Sequence, residues 1–235
     1  MTILNPTSNI RFFIDFDGTI TTVDVVDRLL ERFASGEWKE IEKRWMIGEI
    51  GSRECLERQI ALVSATEAKV SDLLLTVRLD PGFAGFLEKA AALDVPVTVV
   101  SDGFRWLIEK VFEKNLNGSS SFLKGIPIFA NDLGWNHRGG PRAVFPARPC
   151  EHGCANCKAA VIREFRSVGE KVVFVGDGLS DRFAAEASDL TFAKVGAHGR
   201  APLLKFCEKN KIPHQPYATF KDIEEWLRRH CERTK

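Results

Sequence analysis

The chain has 235 residues, of which 44% are apolar and 28% are charged, the composition of a folded globular protein. Its 33 Lys and Arg residues nearly balance its 32 Asp and Glu residues, so no overall field attracts nucleic acid or an anionic membrane surface. No stretch approaches the roughly 18 apolar residues of a membrane span, and the first residues lack the pattern of a secretion signal. We therefore expect a cytoplasmic protein without nucleic-acid or membrane partners.

An apolar run from Ile10 to Phe16 opens the chain and predicts a buried strand that ends at a loop. Apolar residues then recur at spacings of three and four between Val23 and Val77, which predicts several short helices. Strand and helix patterns alternate beyond Pro81. The later strands are predicted at 95–100, 126–130, 171–175 and 190–195, and the later helices at 83–93, 104–115, from 158, 180–187 and 222–229.

This alternation predicts an α/β fold with a Rossmann-like parallel sheet that is flanked by helices on both faces. The helical segment after the first strand is much longer than a crossover between parallel strands requires. We therefore predict that residues 1–20 and 80–235 form one core, and that residues 21–79 form an inserted helical cap.

Acidic and hydroxyl residues follow three of the predicted strands, in the segments DFDGT (15–19), SDG (101–103) and GDGLSD (176–181). Each segment alone is also typical of a turn or a helix cap. Ligands of an open parallel sheet bind outside the carboxyl ends of its strands, so we expect the three segments to meet there.

The order DFDGT, SDG, a lone lysine and GDGLSD resembles the four motifs of the haloacid dehalogenase superfamily of phosphatases. A large insert between the first two motifs is similar to the subclass that contains phosphoserine phosphatase. The segments CEHGCANCK and LLKFCEKNKIPHQPYATFKDI resemble the methionine-salvage enol-phosphate phosphatases. The resemblance spans nearly the whole chain and implies a magnesium-dependent hydrolase of a small phosphorylated metabolite.

On this resemblance Asp15 is the nucleophile, which forms an aspartyl phosphate, and Asp17 is the general acid and base. The second aspartate argues against a dehalogenase, because the dehalogenases of this superfamily lack it. Magnesium prefers hard oxygen ligands, which Asp15, the main-chain oxygen of Asp17, Asp177 and Asp181 would provide, with Asp181 as a ligand or as support for one.

Phosphate oxygens need hydrogen-bond donors and positive charge. The predicted phosphate-binding residues are Thr19, Ser101, Asp102, Gly103 and Lys158. Lys171 is the alternative lysine, but it begins a predicted strand and would lie at the opposite edge of the sheet.

Substrate choice is expected to depend on Asp24, Arg58, Gln59 and Ser180. Phosphoserine phosphatases bind the substrate ammonium with an acid early in the cap, and Asp24 lies in that place. They bind the carboxylate with an arginine, where this chain has Gln59 flanked by Arg58, and Ser180 replaces a usual asparagine. Loss of a bidentate guanidinium weakens carboxylate recognition, so we expect an enol phosphate to be preferred over phosphoserine. Phosphoserine, phosphocholine and phosphoethanolamine are the alternative substrates.

Three cysteines, Cys150, Cys154 and Cys157, lie close together in sequence with His152 among them, a spacing that one zinc ion can bridge. His152 or His137 would be the fourth ligand. The usual zinc pattern has two pairs of ligands, so we expect free thiols and no zinc.

Two other functions remain open at this point. An inactive protein that binds a phosphorylated metabolite would have lost Asp15 or Asp17, and both are present. A phosphotransferase, in which an alcohol replaces water in the second step, would use the same residues.

Overall fold

The computed structural model of the protein describes residues 9–116, 125–137, 139–148, 150–196 and 199–231. The strands in these segments are β1 (Ile10–Ile14), β2 (Val97–Phe104), β3 (Ile128–Trp135), β4 (Pro141–Val144), β5 (Lys171–Gly176), β6 (Leu190–Lys194) and β7 (His214–Tyr217). The helices are α1 (Val25–Phe33), α2 (Trp38–Met46), α3 (Ser52–Ala61), α4 (Glu67–Leu74), α5 (Phe83–Ala92), α6 (Arg105–Asn115), α7 (Lys158–Phe165), α8 (Arg182–Glu186), α9 (Pro202–Asn210) and α10 (Phe220–Cys231). Within the described residues, no helix has both the length and the apolar character to cross a membrane.

These strands form one sheet in the order β4-β3-β2-β1-β5-β6-β7. Neighbouring strands are parallel except for β3 and β4, which are antiparallel. The sheet and its flanking helices confirm the predicted Rossmann-like α/β fold. Because β1 lies between β2 and β5, the chain leaves β1 toward one side of the sheet and returns on the other. A crevice for ligands is expected at such a switch point, beyond the carboxyl end of β1.

The centre of β1 is completely buried, and its side chains alternate between the two faces of the sheet. Phe12 packs edge-on against Phe86 of α5, with ring centroids 5.1 Å apart. Phe13 belongs to the apolar cluster on the other face, together with Val161 and Ile162 of α7. Helices therefore cover both faces of β1, which fixes the position of the residue that follows it.

The four helices α1 to α4 lie between β1 and α5 in the chain, and the segments that enter and leave them run side by side. Thr21 and Leu79 form an antiparallel bridge. The Asp80 N–H donates to the Ile20 carbonyl at 2.8 Å, beside that bridge. These paired connections coincide with the predicted boundaries at 20/21 and 79/80. The division into a core and a cap stays a prediction.

Three described elements were not predicted from the sequence: β4, α9 and β7. Both strands have four residues and contain a proline, and each lies at an edge of the sheet. An edge strand needs no apolar run, because one side of it lacks a partner strand, and proline is tolerated there. Helix α9 buries just Leu203 and Cys207, too few positions for a clear helical period.

Candidate active site

The predicted motif residues meet at the carboxyl edge of the sheet. Asp15 directly follows β1, Ser101 lies in β2, and Asp177 directly follows β5. A cavity of about 940 Å³ opens at this edge, between the sheet and helices α1 to α3. Asp15, Asp17 and Asp177 line it from the side of the sheet.

Lys158 is a buried cation that lies between two buried carboxylates. Its Nζ is 2.7 Å from Asp15 Oδ1 and 2.6 Å from Asp181 Oδ1, and it also reaches the Ser180 hydroxyl at 3.4 Å. Burial alone lowers the pKa of Lys158, but the Asp15 and Asp181 carboxylates outweigh it and raise the pKa well above its ordinary value. The alternative, Lys171, is exposed at the amino end of β5. Of these two lysines, Lys158 is the one that lines the cavity, and it carries a fixed positive charge.

Both oxygens of Asp181 are already engaged by hydrogen bonds. Oδ1 accepts from Lys158, and Oδ2 accepts from the main-chain N–H groups of Asp177 and Gly178 at 3.0 and 3.1 Å. Asp177, in contrast, accepts one hydrogen bond from the described part of the chain, from the Thr19 hydroxyl to Oδ1 at 3.2 Å. Asp177 therefore has more oxygen lone pairs available for a metal ion than Asp181, which holds the loop that carries Asp177.

Three carboxylates form a group that suits one hard cation. Oxygens of Asp15, Asp177 and Asp181 all lie within 4.8 Å of one another. Burial raises the pKa of Asp15 well above its usual range, and the Asp181 carboxylate raises it further. Burial and then Asp181 raise the pKa of Asp177 to about 6. A divalent cation would relieve this repulsion, and an all-oxygen donor set fits magnesium.

Asp17 is oriented by donors from two different parts of the chain. Its Oδ1 accepts from the Val25 N–H, at the start of α1, at 3.0 Å, and its Oδ2 accepts from the Ser101 hydroxyl at 3.3 Å. Burial and then the Asp24 carboxylate raise the pKa of Asp17 to about 8. A carboxyl with this pKa is protonated at neutral pH, as a general acid must be before a leaving group departs.

Position 103 requires glycine, because the backbone there lies close to the Asp17 carboxylate. A Cβ at position 103 would lie 2.5 Å from Asp17 Oδ2. The Gly103 N–H donates to the Ser101 hydroxyl at 2.8 Å. The carboxylate of Asp102 is turned toward another segment, where it accepts from the Asn156 N–H at 3.4 Å. The predicted phosphate contacts of residues 101–103 stay predictions.

The residues predicted to select the substrate divide into two groups. Asp24, Gln59 and Ser180 line the cavity. Arg58 does not line it and lies on the exposed side of α3, where it pairs with Glu54 at 2.7 Å. Its proposed role therefore depends on a movement of the side chain.

Glu42 is a cavity residue that the sequence analysis missed. The buried Gln59 amide donates to Glu42 Oε2 at 2.8 Å. Burial and then the nearby Glu42 raise the pKa of Asp27 to about 6. Glu42 lies on α2, whose apolar spacing indicated a helix but gave no sign of which face points at the sheet.

Lys194 was missed as well, although it ends β6 at the same edge of the sheet. Its Nζ donates to the carbonyls of Gly18 and Thr19, both at 2.9 Å, and lies 3.7 Å from Asp80. Lys194 thus fixes the turn that follows the first strand. The rule that ligands bind at the carboxyl ends of strands would have identified it.

The cysteine segment folds into a compact group. The ligand atoms of Cys150, His152, Cys154 and Cys157 all lie within 4.8 Å of one another. All six cysteines of the chain lie in the described residues, and none forms a disulfide there. The expectation of free thiols without zinc stays untested by this geometry.

Comparison with known proteins agrees with this geometry. A model of the haloacid dehalogenase-like hydrolase family matches residues 12–186, which is more than half of the chain. The chain belongs to this family.

Among its relatives is a 2-hydroxy-3-keto-5-methylthiopentenyl-1-phosphate phosphatase of Bacillus pumilus, 28% identical over 89% of this chain and 87% of the relative. Pdp3-interacting factor 1 of Schizosaccharomyces pombe is 29% identical over 92% of this chain and 94% of its own. A phosphoserine phosphatase, solved as a phospho-aspartyl intermediate analogue, shares the fold with a TM-score of 0.69 at 21% identity. It covers 93% of this chain and 99% of its own. This haloacid dehalogenase-like hydrolase is a phosphatase, as the sequence analysis predicted.

Proposed function

We propose that this phosphatase hydrolyses a small phosphomonoester in two steps. Asp15 attacks phosphorus, and the P–O bond to the leaving group breaks as Asp17 gives the leaving oxygen a proton. Water then attacks the aspartyl phosphate, Asp17 takes a proton from that water, and Asp15 leaves as a free carboxylate. The observation that supports this scheme best is the Lys158 contact to Asp15, with Asp17 two residues away and separately oriented.

Asp15, Asp177 and the main-chain oxygen of Asp17 would bind magnesium. When bound, the ion supplies charge neutralisation and alignment of the phosphate. The other contributions come from the chain. Lys158 adds a second positive charge beside Asp15. The Ser101 hydroxyl and the Gly103 N–H, which here donate to Asp17 and to Ser101, would donate to phosphate oxygens once substrate binds. Thr19 holds Asp177 through its hydroxyl in this arrangement.

We also propose that residues 21–79 act as a cap over a core of residues 1–20 and 80–235. Two adjacent connections at 20–22 and 78–80 join the two parts. Such paired connections allow a small rotation at one place, which would admit substrate and then exclude water.

For the substrate, an enol phosphate of methionine salvage is the first candidate. The name of the Bacillus pumilus relative supports it, because that protein is named for such a substrate. The cavity wall also includes the apolar side chains of Val26, Trp45, Met46 and Leu56. A thioether tail packs well against an aromatic ring and flexible apolar side chains, which would suit this part of the wall.

A second candidate is a phosphomonoester with a cationic head, such as phosphocholine or phosphoethanolamine. Four carboxylates on α1 and α2 or directly before α1 line the cavity, namely those of Asp24, Asp27, Glu31 and Glu42. Two arginines, Arg28 and Arg200, line it as well. Arg28 lies 3.5 Å from Glu31, so part of its charge is compensated. This acidic wall opposes the extra carboxylate of phosphoserine more than it opposes a neutral or cationic group.

A hydrolysis panel separates these candidates. It compares kcat/KM for the methylthio enol phosphate, phosphocholine, phosphoethanolamine, phosphoserine and a neutral sugar phosphate, each with saturating magnesium. The first candidate predicts the highest kcat/KM for the enol phosphate, and equal or faster turnover of phosphoserine contradicts it.

The acidic wall has its own test in the variant Glu42→Gln. Glu40→Gln is the matched control, because Glu40 lies on the same helix, is exposed and pairs with Lys43 away from the cavity. If the substrate is cationic, Glu42→Gln lowers kcat/KM for phosphocholine by roughly 5- to 150-fold while Glu40→Gln leaves it unchanged. Equal values in the two variants rule out a role for this carboxylate in binding a cationic head.

A further inference from the structure

The segment 150–157 lies outside the catalytic carboxylate group and places four metal-binding side chains together. Its sequence, CEHGCANC, supplies three thiols and one imidazole within eight positions. The Sγ atoms of Cys150, Cys154 and Cys157 and a ring nitrogen of His152 all lie within 4.8 Å of one another. Cys150 Sγ is 3.9 Å from His152 Nδ1. We propose, contrary to the expectation of free thiols from the sequence alone, that these four side chains bind one structural zinc ion.

The distances suit zinc. In a tetrahedral site with Zn–S near 2.3 Å and Zn–N near 2.0 Å, neighbouring ligand atoms stand about 3.5 to 3.8 Å apart. The four atoms would close around an ion with movements on the order of 1 Å. Three thiolates and an imidazole form one of the donor sets of closed structural zinc sites, and they do not suit magnesium.

Its surroundings order the segment without using the four ligands. Gly51, just before α3, approaches it so closely that a Cβ would lie 2.5 Å from the Gly153 carbonyl, which accepts from the Arg53 N–H at 3.1 Å. The Asn156 side chain donates to the carbonyls of Ser101 and Phe129 at 3.1 and 2.8 Å. None of these bonds uses a thiol or the imidazole, whose ligand atoms lie within 4.8 Å of one another.

The His152 ring has a defined orientation as well. It stacks on Phe183 of α8, with ring centroids 3.7 Å apart and an angle of 22° between the planes. Cys157 is buried, and Cys150 and Cys154 are half-buried. His152 is exposed, so the group lies at the surface, where an ion can reach it, with one of its thiols buried.

A zinc ion here would connect three parts of the active site. Cys157 immediately precedes Lys158, which contacts Asp15. Asn156 contacts β2 at Ser101, and Gly153 contacts the start of α3 in the proposed cap. The ion would fix the segment that positions Lys158, and its effect on turnover would be through positioning and not through contact with substrate.

Zinc content tests the proposal without any assay of phosphatase activity. The untagged protein is purified without chelators, and its zinc content is measured by inductively coupled plasma mass spectrometry. We expect about one zinc per chain in the wild type, falling at least about fivefold in Cys150→Ser and Cys154→Ser. Cys207→Ala is the matched control and keeps the wild-type content, because Cys207 is buried in α9 away from the segment.

If the cysteine variants fail to fold, a second measurement on the wild-type protein tests the zinc proposal. The metal-free protein is titrated with Co²⁺, and absorption from thiolate-to-cobalt charge transfer with the visible bands of a tetrahedral site supports the proposal. The zinc proposal is overturned if the purified wild-type protein contains no zinc and also lacks these bands with Co²⁺. It is also overturned by a folded Cys150→Ser protein that keeps its zinc, or by a disulfide among these cysteines in the freshly purified protein. Activity restored to a chelated enzyme by magnesium alone would leave the catalytic proposal intact even where the zinc proposal fails.

Discussion

Replacing Val25 by proline should slow catalysis by removing one hydrogen bond to Asp17. The Val25 N–H donates to Asp17 Oδ1 at 3.0 Å, and proline has no N–H. Val25 is the first residue of α1, a position that favours proline, and the preceding Asp24 has φ −71° and ψ 121°, which suits a residue before proline. The substitution therefore removes the donor while leaving the helix able to form.

The size of the effect follows from the state of Asp17 in the first step, when it acts as a protonated acid. A hydrogen bond between uncharged groups is worth about 0.5–1.5 kcal/mol, and each 1.4 kcal/mol is a tenfold change in rate. We expect Val25→Pro to lower kcat/KM for an alkyl phosphate roughly 2- to 12-fold. The Val25 N–H lowers the pKa of Asp17, so its loss should shift the pH profile of the step in which Asp17 acts as a base toward higher pH.

Val25→Ala is the control, because it keeps the N–H and loses side-chain packing at the same buried position. Steady-state kinetics from pH 5 to 9 compare the two variants, with circular dichroism as a check on folding. Equal kcat/KM within about twofold and matching pH profiles would refute the claim that α1 orients Asp17.

Four further predictions concern the metal and the charged residues. Removing magnesium with a chelator should abolish turnover. Calcium should restore on the order of a tenth of the turnover or less, because the larger and looser coordination of calcium misplaces Asp15. Full activity in excess chelator would contradict this prediction. Asp15→Asn should abolish turnover with an unchanged fold. Asp17→Asn should slow hydrolysis of an alkyl phosphate by about 10²–10⁴-fold. It should slow release of p-nitrophenol in the first turnover far less, because that leaving group needs little protonation. Stopped-flow kinetics would detect the difference, and equal losses with the two substrates would argue against Asp17 as the acid. Lys158→Met should lower the free energy of unfolding in urea by about 3–5 kcal/mol without magnesium, because it leaves two buried carboxylates unpaired. A loss below about 1 kcal/mol would show that this lysine is not the charge partner of Asp15.

Elements with a strong apolar pattern could be predicted from the sequence. The buried run of β1 and the alternation of strands and helices after Pro81 were sufficient to predict the parallel sheet. The elements β4 and β7 could not be found in this way, because an edge strand is stabilised by pairing with its neighbour more than by its own apolar residues.

Residues of the site were predictable where a strand ends in a recognisable motif, as at Asp15, Asp17 and Asp177. The lysine was identified from its place before a helix, and Lys158 does lie against Asp15. Glu42 was not predictable, because it belongs to a helix of the insert and meets the cavity through tertiary packing alone. Local patterns specify which face of a helix is apolar, but they do not specify which carboxylate of the polar face points toward a distant strand.

Chemical trapping of the phosphorylated enzyme tests the central proposal most directly. The enzyme is mixed with a ³²P-labelled substrate and magnesium, quenched in acid within one turnover, digested and mapped by mass spectrometry. We predict label on the peptide that contains Asp15, with the lability to hydroxylamine of an acyl phosphate, and none in Asp15→Asn. Accumulation should increase in Asp17→Asn, because the second step loses its base. Rapid turnover without label on Asp15, or label on another residue, would contradict the covalent mechanism.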